Sequence, residues 1–352
     1  MPEVDATILI PDISGFTEFI SGTELSHGSK AIHMLIETII ESVGDEFEVS
    51  EIEGDAVLLI RTGPPPSRQE IHDLCIRIFN AFHYRRTWMS QHTLCPCRAC
   101  RDIEKLTLKF IAHHGPLSEM RVGRFVKHSG ADMIIAHRLL KNGIDNNEYL
   151  LMTESLLNSN PDNGDPIPAW TSSSESYTSL GSIPFRYYLL NEARQQAPMP
   201  PAPDTQYLVD NTAYFEIDMD VSYWDAYMTI MNIPARSQWT PGLRLVEQEI
   251  PDAFIGNVHL CTFDDFKAIV SPVLMEYSEG EIKYAESCRV EEMGLRTIHE
   301  FVFTATGTDT CHFAARCMQT QDSKTSEDVY RVLSQRLEIM AHALKAYIEK
   351  AV

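Results

Sequence analysis

DATILIPDISGFTEFI, residues 5–20, is the stretch on which the fold turns. An apolar run of strand composition leads into Asp12, and Ser14 and Gly15 then permit a sharp turn into a helical segment. The first free N–H groups of that segment point back towards the aspartate, an arrangement that suits phosphate oxygens. The pattern recurs in EFEVSEIEGDAVLLI, residues 46–60, with Gly54 and Asp55 between two strand-like runs. Two carboxylates on neighbouring strand ends, beside free backbone N–H groups, can hold one or two Mg²⁺ ions and with them a triphosphate. Spacing alone also admits a plainer reading, in which Asp12 caps a helix and Gly54-Asp55 makes a hairpin turn.

The chain has 352 residues, 44% of them apolar and 22% charged, enough for more than one core. Its 29 basic and 50 acidic residues give a net charge of -21, which disfavours nucleic acid and anionic lipid surfaces and argues against either as a partner. A polyphosphate ligand then needs a metal to bridge it. The start, MPEVDATILIPD, lacks a basic n-region, and its apolar run is too short for a signal peptide or a membrane anchor. The expectation is a cytoplasmic protein with no membrane insertion, and the eight scattered cysteines agree with a reducing compartment.

Hydrophobic periodicity predicts, in the first half, a strand over 6–12, a helix over 15–42, a hairpin over 46–62, a helix over 67–90, a strand over 105–113, a helix over 130–142 and paired strands near 176–190. This is an α+β sandwich, assigned to residues 1–190. NEARQQAPMPPAPDTQYLVDN, residues 191–211, holds the densest proline run and reads as an extended linker. Residues 212–352 have a different order: a strand near 212–218, a helical stretch near 221–235, five or six strands between 243 and 320, and one long helix. On that helix Val329, Leu333, Leu337, Met340, Leu344 and Ile348 recur at helical spacing, and TSED at 325–328 is a capping pattern.

Four motifs stand in order: DISGFT at 12–17, EGDAVLL at 53–59, IAHHGPL at 111–117 and GADMIIAHRLL at 130–140. Together they resemble the class III adenylyl and guanylyl cyclases across roughly residues 5–190, which implies that family's ferredoxin-like catalytic-domain fold. The resemblance implies that Asp12 and Asp55 bind Mg²⁺ or Mn²⁺ with help from the Ile13 carbonyl, and that Ser14, Gly15, Phe16, Thr17 and Gly54 surround the phosphates. It also implies that Arg138 stabilises the transition state. Two positions depart from the family: Ile134 stands where an asparagine orients the ribose, and Leu180 aligns loosely with a triphosphate-binding lysine. Losing one positioned donor of this type costs ~10²–10³ in rate. Glu51 and Lys127 occupy the base-reading positions. A carboxylate that accepts and an ammonium that donates complement guanine or uracil better than adenine; the alternative is that the two form a salt bridge across a dimer interface. In the family each site is shared between subunits, so the implied assembly is a homodimer.

HTLCPCRAC, residues 92–100, sets Cys95, Cys97 and Cys100 close together with His92 upstream. Such a set can hold Zn²⁺, with Cys75 an alternative fourth ligand, or it can remain reduced or act as a redox switch. His113 and His114 end a strand at the site's edge; His113 reads as packing or hydrogen-bonding rather than metal ligation, and His114 as a weak candidate for lining the pocket. In the last third, VSYWDAYM at 221–228, ARSQWTPG at 235–242 and GNVHLC at 256–261 resemble the START-like (SRPBCC, Bet v 1-type) helix-grip superfamily. That resemblance implies a curved sheet around a long helix, with an apolar or amphipathic small molecule between them. Trp239, His259, Cys261, Leu337 and Met340 are the expected pocket residues; His299 and His312 also lie on strands and could line the cavity, although such a strand residue alone is more often a paired sheet residue.

Three functions compete. The first is a nucleoside-triphosphate cyclase of guanylyl type regulated by the helix-grip ligand. The second is a cyclase-homology sensor that binds nucleotide or a lipid-like ligand without turnover. The third places catalysis in the second half, where the sequence offers no acid, base and nucleophile set.

Overall fold

The computed structural model describes residues 3–21, 25–123, 125–160, 170–202, 209–248, 254–320 and 327–351. The chain is α+β and divides into two compact units. The first comprises residues 1–90 and 97–201, the second residues 91–96 and 202–352.

In the first unit, β1 (Glu3–Ser14) runs beside β3 (Ala56–Thr62) and β4 (Thr107–Val122), antiparallel to both. The sheet order is β2-β3-β1-β4-β6-β8-β7, with β5 (Phe125–Ser129) paired to β4 as a hairpin. Here β2 is Glu48–Glu53, β6 Tyr149–Thr153, β7 Thr171–Tyr177 and β8 Gly181–Leu189. Only β4 and β6 among the described pairs run parallel. Period-2 alternation along β1 puts Ala6, Ile8 and Ile10 on one face, where they pack with Ile111, Met133, Ala136 and Leu139. Asp12 continues that face. The β1–β3 pairing runs from Ala6↔Thr62 to Leu9↔Leu59 and resumes at Asp12↔Ala56. The interruption falls at Pro11, which has no N–H to give a ladder.

The helix expected over 15–42 is two: α1 (Phe16–Ser21) and α2 (Leu25–Val43). The helix expected over 67–90 is α3 (Arg68–His92), and its start has a physical cause. Ser67 Oγ accepts from Glu70 N at 3.1 Å while Glu70 Oε2 accepts from Ser67 N at 2.7 Å, a reciprocal capping box. A short α4 (Arg98–Asp102) follows, then α5 (Ala131–Leu139) between β5 and β6. The sequence reading missed β5, β6 and α6 (Glu154–Ser159), whose N-cap Thr153 accepts from Leu156 N. It also mistook the beginning of the 191–211 segment: Asn191–Gln196 is a helix, α7, rather than extended chain. Leu190 N bonds Glu148 O at 3.0 Å and Arg194 N bonds Leu190 O at 2.7 Å, which fixes the helix entry.

The second unit is a seven-stranded antiparallel sheet of order β10-β11-β12-β13-β14-β15-β9. Its strands are β9 (Val209–Met219), β10 (Leu243–Gln248), β11 (His259–Phe263), β12 (Lys267–Ser278), β13 (Glu281–Val290), β14 (Leu295–Ala305) and β15 (Cys311–Thr320). Between β9 and β10 lie α8 (Tyr223–Met231), capped by Ser222 Oγ on Asp225 N, and a 3₁₀ turn over Ile233–Gln238. The closing helix α9 (Glu327–Ala351) lies along β9 and β15. Leu337, Leu344 and Ile348 are buried and Leu333 and Met340 partly buried. The capping pattern at 325–328 and the Val329 side chain fall outside the described residues. Tyr284, Phe301, Phe303 and Phe313 fill the core, with Tyr284 stacked on Phe301 at 6.1 Å between ring centroids. Residues 91–96 join this core: Leu94 is buried in it, its carbonyl accepts from Tyr227 Oη, and Ile255 N bonds His92 O at 2.7 Å.

Candidate functional site

The end of β1 and the β2–β3 turn meet. Ile13 N donates to Asp55 O at 3.0 Å, and Asp12 pairs with Ala56, the residue after Asp55. Gly54 at φ +67° makes this turn, and Gly15 at φ +89° turns the chain from β1 into α1; both lie in the left-handed region that glycine enters at little cost. Asp55 has its pKa raised, first by burial and then by the Asp12 carboxylate, against lowering by its own backbone hydrogen bond and by Lys109. Two neighbouring carboxylates that repel one another form a donor set a divalent cation suits, and the Ile13 carbonyl follows Asp12 directly. Ser14 Oγ, beside them, is buried with no hydrogen-bond partner among the described residues. Phe16 is half-buried and Thr17 exposed at the start of α1.

Lys109 is the site residue that the sequence reading missed. It stands directly across from Asp12 in the β1–β4 ladder, and its Nζ lies 3.1 Å from Asp12 Oδ2. The same Nζ donates to Leu140 O at 3.1 Å, just beyond α5. The sequence signal was a lysine on the same strand face as Ile111 and His113, but its partner depends on register.

Arg138 and Ile134 lie one turn apart on α5, and both are exposed, Ile134 at 51%. Among the described contacts neither touches Asp12 or Asp55 within the chain. Leu180 is half-buried in the β7–β8 turn, with its N bonded to Tyr177 O at 3.2 Å. Glu51 and Lys127 are close: Lys127 Nζ lies 2.8 Å from Glu51 Oε1, a pair formed within one chain, and Lys127 has its pKa raised by that hydrogen bond. His113 is buried between Thr153 Oγ1 at 2.8 Å and Asp132 Oδ1 at 2.9 Å, while His114 Nδ1 lies 2.9 Å from Thr7 Oγ1.

The sulfur atoms of Cys95, Cys97 and Cys100 lie within 4.8 Å of one another in one short loop, a spacing that a metal ion can bridge. Neither His92 nor Cys75 belongs to that group among the described residues; Cys75 is buried on α3, and burial pushes its thiol pKa up.

In the second unit a cavity of about 520 Å³ is lined by Trp239, Cys261, Leu337, Met340, Arg236 and Glu286, among others. Its size falls within the ~300–1,000 Å³ range of small-molecule sites. Arg236 and Glu286 form a buried pair: Nη1 reaches Oε2 at 2.9 Å and Oε1 at 3.2 Å, while Tyr284 Oη donates to Oε2 at 2.8 Å. Burial opposes the charge on Glu286, but the Arg236 guanidinium outweighs it and holds its pKa below the ordinary value. His259 is buried but is not among the lining residues; burial lowers its pKa to about 4, so it is neutral. The Cys261 thiol is pushed up to about 12 by burial, which leaves it a packing group rather than a nucleophile. His299 lines the cavity, whereas His312 lies on the outer part of β15, 2.8 Å from Asp218 Oδ1.

Residues 32–149 match a family model described as "Protein of unknown function (DUF2652)". An uncharacterised protein of Mycobacterium tuberculosis, Rv2561/Rv2562, is 32% identical over 130 residues, 34% of this chain and 56% of that protein. The chain thus spans about half the length of this curated relative. Among solved structures, the guanylyl cyclase Cya2 aligns with TM-score 0.38 and 15% identity over 53% of this chain and 92% of its own. A bacterial light-regulated adenylyl cyclase gives TM-score 0.38 and 16% identity over 56% of this chain and 100% of its own. A START-superfamily protein from Mycobacterium smegmatis gives TM-score 0.34 and 12% identity over 41% and 100%. No described helix is long and apolar enough to cross a membrane.

Proposed function

We propose that the first unit is a nucleotide-cyclase-like half-site that binds a nucleoside triphosphate through Mg²⁺ or Mn²⁺. We propose further that the second unit binds an apolar or amphipathic small molecule whose occupancy regulates the first. The observation that carries this reading is the meeting of the β1 end with the β2–β3 turn, where Ile13 N bonds Asp55 O at 3.0 Å and burial, then the Asp12 carboxylate, raise the Asp55 pKa. Asp12, Asp55 and the Ile13 carbonyl would hold the ion. When bound, such an ion neutralises and orients phosphate oxygens. The chain's own groups then divide the remaining work. Ser14 Oγ is a buried hydroxyl able to donate to an anion. Arg138, exposed on α5, is available to a phosphate held by a second copy in a homodimer. Glu51 and Lys127 supply the acceptor and donor for a guanine-type edge. The cavity beside the Arg236–Glu286 pair receives the apolar ligand, and the three-cysteine loop is a candidate for structural Zn²⁺.

A second reading, binding without turnover, has its own support. Glu51 and Lys127 already satisfy one another at 2.8 Å, and Ile134 offers no donor to a ribose. Incubating the protein with each of the four ribonucleoside triphosphates and Mg²⁺ or Mn²⁺ separates the two. A 3′,5′-cyclic product with pyrophosphate, lost in both Asp12→Asn and Asp55→Asn, establishes the cyclase. Metal-dependent nucleotide binding with no cyclic product from any base establishes the sensor.

A further inference from the structure

Lys109 places a fixed positive charge inside the acidic site. Its ammonium and the Asp12 carboxylate are 17% and 14% exposed, so solvent screens them incompletely, and Nζ to Oδ2 is 3.1 Å. The same ammonium lowers the pKa of Asp55, so its field reaches both carboxylates. Its second bond, to Leu140 O at 3.1 Å, is neutral and fixes the lysine towards the end of α5. With two carboxylates and one ammonium the cluster carries a net charge near −1. Without the lysine it would be a dianion, a stronger trap for a divalent ion.

We infer that Lys109 is the resident counter-cation of this site: it occupies Asp12 Oδ2 in the metal-free state and gives up that oxygen when a divalent ion binds. The inference rests on the metal reading of Asp12 and Asp55. An ion ligated by Asp12 brings a like charge to the ammonium, so part of the binding energy goes into breaking the Asp12–Lys109 pair. Metal affinity is therefore tuned down by a residue that is not itself a ligand. The displaced ammonium keeps the Leu140 carbonyl within reach as its remaining partner.

The test measures Mn²⁺ binding to the full chain by the electron paramagnetic resonance of free Mn²⁺, in wild type, Lys109→Gln, Lys109→Arg and Asp12→Asn. Glutamine keeps a donor for Leu140 O and removes the charge. The expected result is a Kd lower by about tenfold in Lys109→Gln and near the wild-type value in Lys109→Arg. Unchanged or weaker binding in a folded Lys109→Gln, while Asp12→Asn abolishes binding, overturns the inference and leaves the metal reading standing. Equal binding in wild type and Asp12→Asn removes both. A second measurement needs no variant. Mass spectrometry of wild-type protein after amine acylation should show Lys109 labelled several-fold faster with saturating Mn²⁺ than with chelator, and equal labelling contradicts the displacement.

Discussion

Asp55 sits in a turn where burial and the neighbouring Asp12 both disfavour its charge. Its folded pKa is raised, so the ionised group costs stability at neutral pH, and that cost disappears as pH falls through the folded pKa. Asp55→Asn should therefore raise the melting temperature in chelator at pH 7 and abolish any rise caused by Mn²⁺, which differential scanning fluorimetry reads directly. A mutant that melts lower in chelator would show that the two carboxylates do not oppose one another. Glu286 presents the opposite case, a buried charge fully compensated by Arg236 and Tyr284. Glu286→Gln strands the guanidinium in an apolar wall and should cost about 3–5 kcal/mol in denaturant unfolding. At this scale the sequence was partly legible. A carboxylate after a strand and a Gly-Asp turn are local signals, and they exposed Asp12 and Asp55. The partners Lys109, Asp132 and Glu286 were hidden, because a partner in a sheet depends on register and no local pattern encodes it.

Among the elements, α5 is positioned by a close approach rather than by its own sequence. A Cβ on Gly115 would stand 2.3 Å from Asp132 Oδ1, and that oxygen is held by His113 Nε2 at 2.9 Å. Gly115→Ala must therefore push the helix start off β4 or break the His113 bond. The expected cost is about 1–3 kcal/mol of unfolding free energy, largely relieved in Gly115→Ala combined with Asp132→Ala. Full additivity of the two changes would place the strain elsewhere. Strong periodicity made α3, α9 and the β1 strand readable in advance. The elements that went unread have weak local signatures: β6 is an apolar pentapeptide, α6 and α7 are single short helices, and β5 exists because it folds back on β4. Asn191–Gln196 lies just before the proline run and buries no residue, so it has no apolar stripe to mark it as a helix.

For the whole molecule, acid should act on both units through buried neutral histidines. His83 in the first unit and His259 in the second each have pKa values lowered from 6.5 to about 4, mainly by burial. Stability is complete above the unfolded pKa of 6.5 and is lost as pH falls towards the folded value of about 4, by up to roughly 3 kcal/mol per group at ~1.4 kcal/mol per unit. Calorimetry from pH 7.5 downward should show this loss, and His83→Gln or His259→Gln should flatten the part belonging to its own unit. Metal-dependent triphosphate binding at Asp12 and Asp55 is the property on which the proposed function stands. It is measured by equilibrium dialysis with GTP, with and without Mn²⁺. GTP should be retained only in the presence of Mn²⁺, and retention should disappear in Asp12→Asn and in Asp55→Asn. Retention that is independent of the metal or survives both substitutions would contradict it, as would no retention by the wild-type chain.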